Sequence, residues 1–239
     1  MGRRRAVARA GVLAQRAEWL VQRTESHHNG RSGAARPAQR TETLGSGMRR
    51  ATLLAQRTSA SLLPVSEALR VRLREITLDD VELVDEWQAD PVKNGEFNSF
   101  GGEVQTIRPG VEEGRIIGPN GGMMIVERLA DAQPIGTVGW HAVRYGPNDQ
   151  SRAWNIGISL VPEARGQGYG PEAQLLLADH LFATTDANRV EASTDVENLA
   201  EQRALDKAGF VREGVNRGAQ WRAEGYHDLV LYSRLRGDA

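Results

Sequence analysis

Trp154-Asn155-Ile156-Gly157-Ile158-Ser159-Leu160-Val161 leads through Pro162 into Arg165-Gly166-Gln167-Gly168-Tyr169-Gly170, and then into Pro171-Glu172-Ala173-Gln174-Leu175-Leu176-Leu177. The first segment predicts a strand, which Pro162 ends by removing a backbone donor. The last predicts a helix, since a proline just inside a helix start gives up an N–H that would have no intrahelical acceptor. Between them, glycines 166, 168 and 170 remove Cβ atoms, so that backbone amides can converge on one ligand. Those amides add to the positive end of the helix dipole and make an anion site suited to phosphate oxygens. Arg165 brings a positive charge to the start of the turn.

Several phosphate loops share this outline. A nucleoside-triphosphate loop needs a lysine after its last glycine, and none follows here. A dinucleotide fingerprint needs Gly-x-Gly-x-x-Gly, but counted from Gly166 the final position is Pro171. Glu191 stands about 20 residues on, where a ribose-binding acid would fall, so this reading is weakened rather than removed.

The 239 residues carry a net charge of −1, unevenly divided. Residues 1–70 hold 13 arginines, no lysine and four acids, whereas residues 71–239 hold 17 basic and 27 acidic residues. A basic extension on an acidic domain follows, and the acidic domain favours cationic partners such as amines. The absence of cysteine excludes disulfides, cysteine nucleophiles and thiolate metal sites. No apolar run approaches the roughly 20 residues that span a bilayer, so no membrane partner and a cytoplasmic location are expected.

Residues 1–70 read as a disordered, Arg-rich N-terminal extension, with Gly, Ser, Arg and Pro crowding residues 26–50. Arg9 interrupts what would be the apolar part of a signal peptide. The composition also fits an organelle transit peptide or a weak nucleic-acid contact, but a dispensable extension, with Met48 as an alternative start, is the stronger reading.

The domain, residues 71–239, opens with a strand at 71–76 and a helix from Leu78 to Trp87 capped by Thr77 and ended by Asp90-Pro91. A short helix near 111–117 precedes a hairpin of strands at 123–129 and 134–143. Beyond the glycine turn come a strand at 189–194, a helix from Asn198 to Ala208 stopped by Gly209, and strands at 210–214 and 228–233. This order suits a mixed α/β sheet with helices on both faces and a parallel pair flanking the glycine turn.

Four motifs then fall in one order: Val161-Pro162 with Arg165, Gly168 and Gly170; Asn198 before Lys207-Ala208-Gly209-Phe210; Gly225-Tyr226-His227-Asp228; and Trp87 with Asp90-Pro91. Together they resemble the GNAT superfamily of N-acetyltransferases, in particular the branch containing the ribosomal-protein-alanine N-acetyltransferases, over about residues 71–236. The resemblance implies an α/β (α+β) fold, a mostly antiparallel sheet with a splayed parallel strand pair. It implies acetyl-CoA as donor and a primary amine as acceptor, either a small molecule or a protein N-terminus. Main-chain groups of Ile158, Ser159, Leu160 and Val161 would line the pantetheine arm as a pseudo-strand. The turn of Arg165, Gly166, Gln167, Gly168, Tyr169 and Gly170 would hold the pyrophosphate, and Asn198 would contact the arm. A backbone amide near Leu160 or Val161 would polarise the thioester, an effect often worth about 3–4 kcal/mol.

The acid and base are less legible. Many relatives carry a thiolate-protonating tyrosine where this chain has Leu205, so water or Tyr226 would take that part. An amine with a pKa near 10 must lose a proton before attack, and Asp195 and His141 are the candidates. Asp195 serves equally as a turn residue, and His141 reads better as a surface histidine. Trp140, Trp154 and Trp221 read as core or pocket wall, and Glu191 as a salt-bridge partner. Leu205 keeps open a second reading, a non-catalytic acyl-CoA-binding module. A nucleotide-binding regulator with a nucleic-acid-binding tail is disfavoured by the broken dinucleotide pattern and the acidic domain. A homodimer is compatible with the sequence, although no motif signals one.

Overall fold

The computed structural model describes residues 69–238. The extension expected at residues 1–70 lies outside the described residues, apart from Leu69 and Arg70. In chain order the elements are β1 (Val71–Arg74), α1 (Val81–Ala89), α2 (Pro91–Asn94), α3 (Arg108–Glu112), β2 (Gly121–Arg128) and β3 (Gln133–Arg144). They continue with β4 (Arg152–Leu160), α4 (Tyr169–Thr184), β5 (Arg189–Asp195), α5 (Leu199–Lys207), β6 (Val211–Arg222) and β7 (Gly225–Leu235). The strands form one sheet in the order β1-β2-β3-β4-β5-β7-β6. Every neighbouring pair is antiparallel except β4 and β5, which are parallel.

The alternation of side chains along a strand sends neighbouring residues to opposite faces. On β2, Met124 and Val126 join Val138, Trp140, Ile156, Val190, Leu177 and Leu181 beneath α4. Ile125, between them, packs on the other face with Val84 and Trp87 of α1 and with Ile76. Both faces are thus covered, α4 supplying one layer and α1 the other.

The last two strands are much longer than the sequence predicts, because residues 215–227, which carry no apolar alternation, form most of a hairpin. Its outer strand is largely exposed and bulged at Arg212/Gly214 and Asn216/Gln220. Its two-residue turn places Ala223 (φ 47°) and Glu224 (φ 64°) in the left-handed region without the usual Asn-Gly signal. The short helix expected at 111–117 is α3, displaced toward the N-terminus.

α1 is pinned to β1 by a buried charge cluster. Arg74 holds Asp80 through two bonds of 2.8 and 2.7 Å, and its Nε reaches Glu127 at 2.5 Å. Asp80 also accepts the Thr77 amide at 2.8 Å, fixing the turn that opens α1. The Arg74 guanidinium, aided by Thr77, holds the Asp80 carboxyl down at about 2. A depressed folded pKa stabilises above the unfolded value near 3.8, and the gain is lost as pH falls toward 2. Asp80→Asn is therefore expected to cost about 2 kcal/mol at neutral pH and to flatten the loss of stability between about pH 4 and 2. Melting temperatures against pH check this, and an unchanged acid limb in the variant would refute it.

Candidate active site

β4 and β5 pair only at Trp154↔Val190, Asn155↔Glu191 and Ile156↔Ala192. Beyond that point each strand stays bonded to its outer neighbour, β4 to β3 as far as Gly136↔Leu160 and β5 to β7 as far as Asp195↔Leu229. The facing edges at 157–160 and 193–195 therefore part, and the sheet carries a gap between two well-held strands. Close packing fixes β4 here, since a Cβ on Gly136 would stand 2.2 Å from the Ser159 carbonyl oxygen.

The Val161 amide donates to the Ile135 carbonyl at 3.0 Å, which sets the alternation of the strand. Ser159 and Val161 turn their main-chain groups toward β3, whereas Ile158 and Leu160 turn theirs into the gap. The stretch 158–161 singled out from the sequence thus divides in two, and the amide expected to act at Leu160 or Val161 is narrowed to Leu160. In the gap the Ile158 carbonyl accepts Asn98 Nδ2 at 3.3 Å and the Leu160 carbonyl accepts Arg165 Nε at 2.8 Å. The amides of Ile158 and Leu160 donate to no acceptor among the described residues.

The glycine turn presents its amides in the same way. Among the described residues, no acceptor takes the N–H of Gly166, Gln167, Gly168, Tyr169 or Gly170. Their orientation is set from behind by Arg70, whose guanidinium donates to the carbonyls of Gln167 at 3.0 Å and Gly168 at 3.1 Å. Arg70 and Val71 in turn give their amides to the Glu172 carboxylate in the first turn of α4. Gly168 has φ 84°, a conformation that a side chain strains. Arg165 does not aim its charge at this cradle. Its guanidinium is engaged by the carbonyls of Leu160, Val92 and Lys93, tying β4 to α2, so it acts as a brace.

Two cavities flank the gap. The larger, about 860 Å³, lies on the α1 face and includes Trp87, Met123, His141, Asn155 and Asp195 in its wall. The smaller, about 470 Å³, runs from Ile158 and Leu160 to Gly166, Gly168 and Gly170. Ile158, Ser159, Asn198 and Glu201 line both.

The remaining sequence candidates divide. Asn198 caps α5 by accepting the Glu201 amide at 3.2 Å and donates to Thr194 Oγ1 at 3.0 Å, which presents it at the junction of the cavities. The Asp195 carboxylate is buried, bonded to Arg222, 2.9 Å from His227 Nδ1 and accepting the Glu197 amide at 2.8 Å. Held on all sides, it is an anchor for the β6–β7 hairpin rather than an available base. Tyr226 is 74% exposed against Trp221 and lines neither cavity, so the acid part considered for it has no geometric support. Leu205 is fully buried in the core.

Glu201, to which the sequence reading gave no role, stands in the first turn of α5. The residue as a whole is partly exposed, with its carboxyl still reachable from the cleft, and desolvation there pushes that carboxyl up to about 7. Among the described residues it makes no ion pair or side-chain hydrogen bond. From sequence it looks like the glutamate of a capping box with Asn198, a helix signal that conceals its chemistry.

A family model described as "Acetyltransferase (GNAT) domain" matches residues 70–211. The uncharacterized N-acetyltransferase YoaA of Bacillus subtilis (strain 168) is 27% identical over 187 residues, spanning 73% of this chain and 98% of that protein. Among solved structures, spermidine N-acetyltransferase from Vibrio cholerae with CoA and spermine superposes with a TM-score of 0.59 at 18% identity, covering 71% of this chain and 97% of that one. The ribosomal L7/L12 alpha-N-protein acetyltransferase RimL in complex with coenzyme A superposes with a TM-score of 0.58 at 20% identity, covering 74% and 98%. At these identities the superpositions speak for the fold.

Gly168→Asp strains the backbone of the turn and puts a Cβ 2.9 Å from the Arg70 guanidinium that holds the turn from behind, with a negative charge added beside the anion site. It is expected to weaken coenzyme A binding at least about tenfold, roughly 1.4 kcal/mol, with the folded circular-dichroism spectrum retained. Titration calorimetry decides, and wild-type affinity in the variant would remove the turn from the binding site.

Proposed function

The chain belongs to the GNAT acetyltransferase family, and on that premise we propose that it transfers acetyl from acetyl-CoA to the primary amine of an otherwise neutral molecule, a peptide N-terminus before a polycation. The single observation that carries the transfer reading is the gap between β4 and β5, with the Ile158 and Leu160 amides turned into it and no protein acceptor for either. The residues present suit the donor: the glycine turn offers its amides to a pyrophosphate, and the strand edge offers donors at the spacing of an added strand. Acetyl-CoA supplies an acyl group activated as a thioester.

The protein's own contribution is alignment and charge stabilisation. Ile158 holds an extended arm against the strand edge. The Leu160 amide meets the negative charge that develops on the acetyl oxygen, in a site partly closed to water where such a donor is effective. Asn198, locked by its cap and by Thr194, fixes the far side of the arm. Burying both reactants at one junction replaces a bimolecular encounter with a positioned one.

The acceptor class follows from the wall of the larger cavity. Its acids are Asp195, neutralised by Arg222, and Glu201, while Lys93 is paired with Glu86 at 2.5 Å. A polycation would find little to answer its further charges. Gln88, Asn94, Asn98, Gln105, Asn155 and Gln220 instead present carboxamides beside Trp87, Phe97 and Phe100, a surface matched to peptide groups and apolar side chains.

Thiol release from acetyl-CoA across short peptides with free N-termini, spermidine and an aminoglycoside tests both halves. At least about tenfold higher kcat/KM for the best peptide is expected. A preference for spermidine would overturn the acceptor class, and wild-type coenzyme A binding without turnover of any amine would overturn transfer to amines.

A further inference from the structure

We propose that Glu201 is the proton carrier of the transfer step, taking a proton from the amine and returning it to the departing sulfur. This rests on the acetyl-transfer reading and goes beyond it by assigning the acid and base to one side chain. The geometry is particular. Glu201 lines both the cavity assigned to the donor arm and that assigned to the acceptor, so it stands at their junction. It stands one helical turn before Leu205, on the same face of α5 but at the open end of the helix. The other carboxylate of the larger cavity, Asp195, is already engaged by Arg222 and by the Glu197 amide. Glu201 has no partner of its own among the described residues.

The charged and titratable groups that face this junction from its neighbours are accounted for. On α5, Arg203 and Lys207 line the smaller cavity without pairing with Glu201. Lys93 is held by Glu86, Arg165 by three carbonyls and Asp195 by Arg222, while His141 lines the larger cavity and Glu96 the smaller, neither bonded to Glu201. With no cation paired to it among the described residues, desolvation dominates, and the carboxyl exchanges its proton near neutral pH.

The step balances without another reactant. An ammonium acceptor first releases one proton to solvent through the open cleft. The amine lone pair then forms the C–N bond, and the nitrogen proton passes to the Glu201 carboxylate. The C–S bond breaks with its electron pair on sulfur, and the Glu201 carboxyl gives up the proton to form the thiol. Glu201 ends as it began, a carboxylate.

Glu201→Gln keeps the shape and removes the exchange. The expected result is a fall in kcat of at least about 100-fold with the coenzyme A dissociation constant unchanged within about twofold. The wild-type kcat/KM rises with pH through a limb near 7, and this limb is absent in the variant. Glu201→Asp keeps part of the limb. Independently of any acceptor, ¹³C-glutamate NMR of the full chain should show one carboxyl titrating near 7 that disappears in Glu201→Gln. A variant that turns over at the wild-type rate, or a wild-type protein with no glutamate titrating above about pH 5.5, would overturn the proposal. Failure of the wild type to bind coenzyme A would instead sink the acetyl-transfer reading, so the two failures are told apart.

Discussion

A strand can be held open only if something else holds it in place. Here β3 binds one side of β4 to its last residue, and β7 does the same for β5, so each strand is ordered without help from the other. The unmade ladder bonds between residues 157–160 and 193–195 leave backbone donors without partners, which is unfavourable in a buried setting. The fold tolerates this because Asn98 and Arg165 satisfy the carbonyls on the same edge. What remains are amide donors, selective for a ligand that supplies acceptors along an extended arm.

The two carboxylates nearest the gap show how surroundings assign tasks. Asp195 and Glu201 lie in the same cavity wall, yet one is bonded to Arg222 and the Glu197 amide and the other has no side-chain partner among the described residues. Donors keep a carboxylate charged and inert, whereas desolvation alone makes it exchange protons near neutrality.

Much of this was readable in advance and some was not, for reasons that are local. The strand at 154–161, the glycine turn and the helix after it follow from proline and glycine chemistry and apolar runs, which act over a few residues. The hairpin at 215–227 was not legible: its outer strand is solvated on both faces, so burial imposes no alternation, and Ala223 and Glu224 occupy a turn that their residue types do not announce. Arg165 and Asp195 are drawn to the site by sequence but engaged by partners distant in the chain, Val92 and Arg222, that no spacing rule connects. Glu201 was hidden by the opposite effect, since a plausible local role masked one that depends on the cavity around it.

Arg70 stands one residue before the first strand, and its guanidinium backs the very turn offered to the pyrophosphate. A chain trimmed to begin at Val71, where the sheet begins, would keep every strand and lose that backing, along with the amide that Arg70 gives to Glu172. The first strand and the backing of the turn thus differ in their N-terminal requirement by a single arginine.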